Sequence, residues 1–118
     1  MVYANDRSAQ GVTTISEENT DTIFINEITT QPATQSRLLE LVIANNEAQS
    51  FRTPGYRSAN FHKSDDGERA VNYSLWDSEQ HLIDAITAMA GEDVNLDETM
   101  AIATPDFRFY TLVYTVQA

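Results

Sequence analysis

The strongest constraint on the fold is a turn signal near the middle of the chain. Asp66-Gly67 separates two stretches, Tyr56 to Lys63 and Arg69 to Trp76, that both read as strands. Asp-Gly between such stretches marks a tight hairpin, because glycine accepts the positive φ that the turn needs. On each side of this hairpin lies one helix-spaced segment, and beyond each helix lies one further alternating segment. Thr22 to Thr30 alternates, with Ile23 and Ile25 on one face and Phe24, Asn26 and Ile28 on the other. Gln31-Pro32 ends that strand, and Pro32 suits the first position of a helix. Leu38, Leu39, Val42, Ile43, Ala48 and Phe51 carry helical spacing to about Arg52, where Thr53-Pro54-Gly55 stops it.

After the hairpin, Asp77 or Ser78 can cap a second helix whose apolar face is Leu82, Ile83, Ile86 and Met89. Ala90 to Pro105 is acidic and irregular, with a helical turn near Leu96 to Ala101. Phe107 to Val116 alternates again and predicts a last strand. The order is β-α-β-β-α-β, a ferredoxin-like α+β arrangement with one antiparallel sheet and two helices on one face. Residues 1–20 are polar and aperiodic and read as a flexible arm. Residues 21–118 read as the single domain.

The sheet has apolar residues on both faces: Val71, Tyr73 and Leu75 lie opposite Ala70, Asn72, Ser74 and Trp76. Helices cover only one side, so the other face needs a cover, and a second copy of the chain is the simplest one.

Composition limits the partners. The net charge of −11 argues against nucleic acid and anionic membranes, which are bound through clustered Lys and Arg. From Arg69 to Arg108 there is no Lys or Arg between, while eight acidic residues fall in that interval; this reads as a solvated acidic face. No apolar run approaches the ~18 residues of a membrane span, and no secretory signal follows Met1. The chain has no cysteine, which fits a reducing cytoplasm and excludes thiol chemistry. Neither His62 nor His81 has a second histidine at helical spacing, so no metal site is expected.

Pro32-Ala33-Thr34-Gln35, Pro54-Gly55-Tyr56, His62, Asp66-Gly67, Val71-Asn72-Tyr73-Ser74-Leu75-Trp76 and Ser78-Glu79-Gln80 together resemble the antibiotic biosynthesis monooxygenase family. The similarity runs from about Ile23 to Met89 and is nearest the branch that oxidises polyketide-derived aromatics. The resemblance implies a dimeric α+β barrel of ferredoxin-like subunits, with a pocket between sheet and helices in each. It implies oxidation of a small aromatic or quinone-like molecule by O2 without metal or flavin. Asn72, Trp76 and His62 are the implied catalytic residues. Asn26, Leu82 and Tyr73 are the expected substrate contacts, Asn26 because β1 and β3 are neighbours in such a sheet.

Two departures stand out. Leu82 occupies the place of that branch's second-helix tyrosine, and an arginine of that branch, further toward the C-terminus, has no counterpart. The haem-degrading branch shares Asn26 and Trp76 but needs a second-helix histidine; Ile86 and Thr87 stand there, which argues against haem. A non-catalytic ligand-binding dimer, or an isomerase or cyclase on the same scaffold, is the alternative reading.

The two-sided sheet predicts a homodimer. Sedimentation at micromolar concentration should give twice the chain mass, and a monomer there would remove the argument.

Overall fold

The computed structural model describes residues 11, 13–16, 22–49, 53–92 and 95–118, and for 49 and 89–92 the backbone alone. Most of the expected arm, 1–20, lies outside the described residues. The elements are β1 (Thr22–Thr29), α1 (Gln35–Gln49), β2 (Tyr56–Lys63), β3 (Arg69–Trp76), α2 (Glu79–Glu92), α3 (Leu96–Ile102) and β4 (Phe107–Tyr110). The strands form one antiparallel sheet in the order β2-β3-β1-β4. This is the expected ferredoxin-like α+β fold.

Two apolar clusters join helices to sheet. Phe24, Trp76, Leu82 and Ala85 form one, with Tyr56 and Ile86 packed against it. Ile28, Leu38, Ala70 and Ala103 form the other, with Leu39, Val42 and Ile102 alongside. Both use the face of Phe24, Ile28, Ala70 and Trp76, as the alternation predicts. Ile83 departs from the expected apolar face of α2 and is exposed. Ala48 is likewise exposed, and Phe51 lies outside the described residues.

The opposite face is partly covered by the chain itself. Thr14, Ile15, Ser16 and Leu112 meet Ile23, Tyr73 and Leu75 there around a small cavity of about 10 Å³. Thr13 Oγ1 donates to Asn60 Oδ1 at 2.8 Å, while Asn60 Nδ2 donates to the Tyr73 carbonyl, so this segment is pinned to β2 and through it to β3.

The last strand is shorter than the alternation suggests. β4 runs antiparallel to β1 and reaches Ile23 with Tyr110, one residue from the start of β1. Residues past Tyr110 therefore run off the sheet. Val113, Tyr114 and Val116 are exposed although their spacing continues the strand pattern.

Loop chemistry fixes the corners. Gln35 is buried, and its Nε2 donates to the carbonyls of Ser64 and Arg69, tying the start of α1 to the hairpin end. Within the hairpin, Asp66 Oδ1 accepts from Glu68 N at 2.9 Å and from Ser64 Oγ at 2.7 Å. Those bonds, the backbone one foremost, hold its carboxyl below the usual range. Gly67 adopts φ 79°, and a Cβ there would meet Pro32 Cα at 2.8 Å. Gly55 adopts φ 81°, and a Cβ there would collide with the Cγ and Cβ of His81. His81 is thus a corner residue packed against this turn. Its backbone N–H donates to Ser78 Oγ, which caps α2. α3 is held to α1 by paired bonds from Arg37 to Glu98, at 2.6 and 2.8 Å. The hydrogen bond with Arg37 lowers the Glu98 pKa.

Gly55→Ala should lower stability in urea by about 2 kcal/mol, combining positive-φ strain with the His81 collision. Gly55→Ala with His81→Gly, which removes the Cβ as well as the ring, should show a favourable coupling of about 1 kcal/mol in a double-mutant cycle. Gly67→Ala should gain nothing from His81→Gly, because its obstacle is Pro32.

Candidate functional site

The helix-facing side of the sheet carries a row of four residues that differs from the apolar rows around it. In register, Phe61 of β2 lies beside Asn72 of β3, Asn72 beside Asn26 of β1, and Asn26 beside Phe107 of β4. Two amides therefore stand next to each other at the centre of the sheet, with an aromatic residue on either side. Along β1 the amide falls between Phe24 of one cluster and Ile28 of the other, and along β3 Asn72 falls between Trp76 and Ala70. The pair lies on the seam between the apolar layer under α2 and the layer under α1. Phe107 also stacks obliquely on Phe24, with ring centroids 5.5 Å apart.

Polar groups in such a place are usually satisfied, since an unpaired buried donor or acceptor costs about 1–3 kcal/mol. Asn26 Oδ1 accepts from the backbone N–H of Asp106 at 3.1 Å. Asn72 Oδ1 is buried and has no hydrogen-bond partner. Ser58 Oγ shares that condition, but Ser58 pairs with Leu75 and belongs to the other face. Asn72 is thus an unsatisfied polar atom on the helix side, at the seam.

At the α2 end of the wall, Trp76 is buried and its indole N–H donates to Ser74 Oγ at 3.0 Å. The indole is thus packed inside this cluster, with its donor committed to Ser74 of the same strand. Tyr56 meets it edge-on at 5.5 Å. Burial raises the Tyr56 pKa, and a hydrogen bond with Asn46 of α1 partly offsets this. The phenol is therefore a protonated group at neutral pH.

The expected site residues fall into two sets. Asn72, Trp76, Asn26 and Leu82 share the helix-facing side, with Leu82 buried in the Trp76 cluster. His62 and Tyr73 do not join them. His62 pairs with Val71 and is exposed, and Tyr73 lines the small cavity on the opposite face with Ile23 and Leu75. Strand alternation alone places both across the sheet from Asn72.

Tyr56 is the residue that sequence reasoning put on the wrong side. Strict alternation groups it with Ser58, Asn60 and His62. The β2–β3 register shifts between Tyr56 and Ser58, so Tyr56 pairs with Trp76 and turns to the helix face. Nothing in Tyr56-Arg57-Ser58 marks an extra residue. The residues named on this wall include no histidine, aspartate or glutamate. Its chemistry is that of two amides, a phenol and aromatic surfaces. Among the described residues no cluster of three metal-ligating side chains occurs, and no helix is long and apolar enough to cross a membrane.

Comparison with known proteins identifies the family and the fold. The family described as antibiotic biosynthesis monooxygenase matches residues 22–88, which takes in both amides, Trp76 and Leu82. Tetracenomycin-F1 monooxygenase of Streptomyces glaucescens is 38% identical over 56 residues, 48% of this chain and 50% of that protein. The chain thus matches about half the length of that curated relative. Among solved structures, a Streptomyces coelicolor monooxygenase from the gene ActVA-Orf6, in complex with nanaomycin D, aligns with a TM-score of 0.72 at 23% identity. The alignment covers 88% of this chain and 99% of that one. SnoaB, a cofactor-independent oxygenase from Streptomyces nogalater, aligns with a TM-score of 0.65 at 19% identity over 85% and 100%. These two likenesses are of fold.

The buried phenol predicts an alkaline response. The folded-state pKa of Tyr56 lies above the ordinary value of 10.0. Its contribution is therefore fully present below pH 10 and is lost as pH rises through the folded value. Between about pH 8 and pH 11 the wild type should lose more stability than Tyr56→Phe, and equal losses would contradict the assignment.

Proposed function

We propose, on the premise that this chain belongs to the antibiotic biosynthesis monooxygenase family, that it oxidises a small aromatic, polyketide-type molecule with O2 and without a cofactor. The observation that carries the reading is the unpartnered Oδ1 of Asn72, set beside Asn26 in a wall whose other members are mostly aromatic or apolar. On this reading an aromatic ring lies along the Phe61–Asn72–Asn26–Phe107 row, with its oxygen substituents toward the amides. The activity of the Streptomyces glaucescens relative favours the same class.

In this scheme the substrate supplies the electrons. A phenol or enol gives up a proton, and the resulting carbanion-like carbon reacts with O2. For a methylene between two aromatic rings, one oxygen atom ends as the new carbonyl. The other leaves as water with the two methylene hydrogens. The protein contributes binding, exclusion of water and hydrogen bonds to the substrate oxygens. Of the Asn72 amide, only the nitrogen, with its two N–H donors, can stabilise that charge. His62 has no place in this path, because it stands on the other side of the sheet. Tyr56 packs on the cluster that contains Leu82, so it brings a phenol to the end of the site where the second helix has none.

A second copy of the chain is assigned to the helix-free face. Val71, Tyr73 and Ile25 are only partly covered there, and the chain's own residues 14–16 occupy one part of it. The absence of an acid–base residue among those named on the wall, together with Leu82, favours a second reading, a ligand-binding protein without turnover.

Oxygen uptake with hydroxylated anthrones and naphthols separates the two. The oxygenase reading expects uptake above the uncatalysed rate with stoichiometric quinone, and a loss of about tenfold or more in kcat/KM for Asn72→Ala. Binding of these compounds with no uptake would establish the binding protein instead. Conversion of the substrate without uptake would point to an isomerase or cyclase.

A further inference from the structure

Ile23 and Leu75 are each 6% exposed on the helix-free face, although the two apolar clusters pack on the other side of the sheet. Among the described residues, Thr14, Ile15, Ser16 and Leu112 meet them there, around the cavity of about 10 Å³. Residues 13–16 thus lie over β1 and β3 as a strap, ahead of residue 22, where the family match begins. A bond from Thr13 Oγ1 to Asn60 Oδ1, 2.8 Å long, fastens it to β2. Its packing is incomplete, since Ile15, the one large apolar residue of 13–16, stays 48% exposed.

The face beneath has the composition of a contact between two copies of the chain. It continues past the strap through the half-buried Ile25 and Val71, and Tyr110, which pairs with Ile23, extends it to the sheet edge. Its charges balance. Strand alternation sets Glu27, Arg69 and Arg108 on it, and Asp106 lies 3.6 Å from Arg108. Two acids stand against two arginines there, in a chain whose net charge is −11. A two-fold contact needs both signs on one surface, because each patch meets its own copy.

We propose that the strap is a displaceable cover, which competes with a second copy of the chain for Ile23, Tyr73 and Leu75. The inference rests on the reading that a second copy covers this face, and it adds what opposes that copy. Strap and partner cannot both touch the same side chains, so the dimer forms from chains whose straps have lifted. In a two-fold dimer both subunits release theirs, so the covered fraction lowers the apparent affinity twice over. Residues 13–16 therefore set the concentration at which the chain pairs. While the chain is single, they keep Ile23 and Leu75 from water.

The test uses the full chain, with the dimer dissociation constant measured by sedimentation. Thr13→Val removes the donor to Asn60, and Ile15→Asn removes apolar contact without adding charge. Together they should tighten the dimer about tenfold. Thr13→Ser keeps the hydroxyl and should stay within about twofold of the wild type. The chain has no cysteine, so a nitroxide on Ile15→Cys reports the strap alone. Its spectrum should become more mobile as the dimer forms. A weaker dimer in the double variant, or a less mobile label on association, would make the segment part of the interface and overturn the competition. A double variant within about twofold of the wild type would overturn it as well. If neither protein dimerises at any concentration reached, the second copy is wrongly assigned to this face and the inference falls with it. Oxygen uptake by that monomer would leave the proposed reaction standing.

Discussion

The pairing of β1 with β3 is the constraint on which the rest of the molecule depends. It is the central pair of the sheet, and it runs unbroken from Thr22 opposite Trp76 to Thr29 opposite Arg69. Its register decides which residues lie under the helices. A slip of one residue would send Phe24 and Ile28 to the opposite face and bring Ile23 and Ile25 beneath α1 and α2. The same register sets Asn26 against Asn72. The apolar residues on either side lock it, because Phe24, Ile28, Ala70 and Trp76 are all buried. The polar pair is thus placed by its hydrophobic neighbours, which hold it where bonding between the amides alone would not.

The sheet divides the chemistry of the chain into two faces. On one, the amides, the Trp76 ring and the Tyr56 phenol lie on the helix-facing side. On the other, His62, Asn60, Ser58 and Tyr73 lie among short polar contacts and the 13–16 segment. Family membership and this division fit together: reaction of an electron-rich ring with oxygen asks for a dry, shaped wall with a few directed hydrogen bonds. On the proposed reading the helix-facing side supplies such a wall.

Much of the fold could be read from the residues. Alternation located β1, β2 and β3, Asp66-Gly67 located the hairpin, and the helix near Leu96 was visible as a short turn. The amide pair was also within reach, because the strand order of a β-α-β-β-α-β chain makes β1 and β3 neighbours. Two features were not legible, for physical reasons. A β-bulge changes the phase of a strand without requiring a particular residue, so Tyr56 was assigned to the His62 face. The length of β4 depends on how much of β1 remains to pair with. That is a property of the sheet, and the alternation through Val116 carries no trace of it. The two-residue period of the strands puts His62 and Tyr73 across the sheet from Asn72.

The attachment of α3 differs in kind from that of the other helices. It has no fully buried residue, and its side-chain bond to α1 runs from Arg37 to Glu98 between half-exposed groups. α1 and α2 are held by apolar burial, which added electrolyte leaves intact or strengthens. α3 adds an exposed charge pair to the packing of Ile102 on the Ala103 cluster, and exposed charge pairs weaken as the Debye length shrinks from roughly 10 Å at 0.1 M salt to about 3 Å at 1 M. Ionic strength therefore acts on the Arg37–Glu98 tie and leaves the Ile102 contact in place.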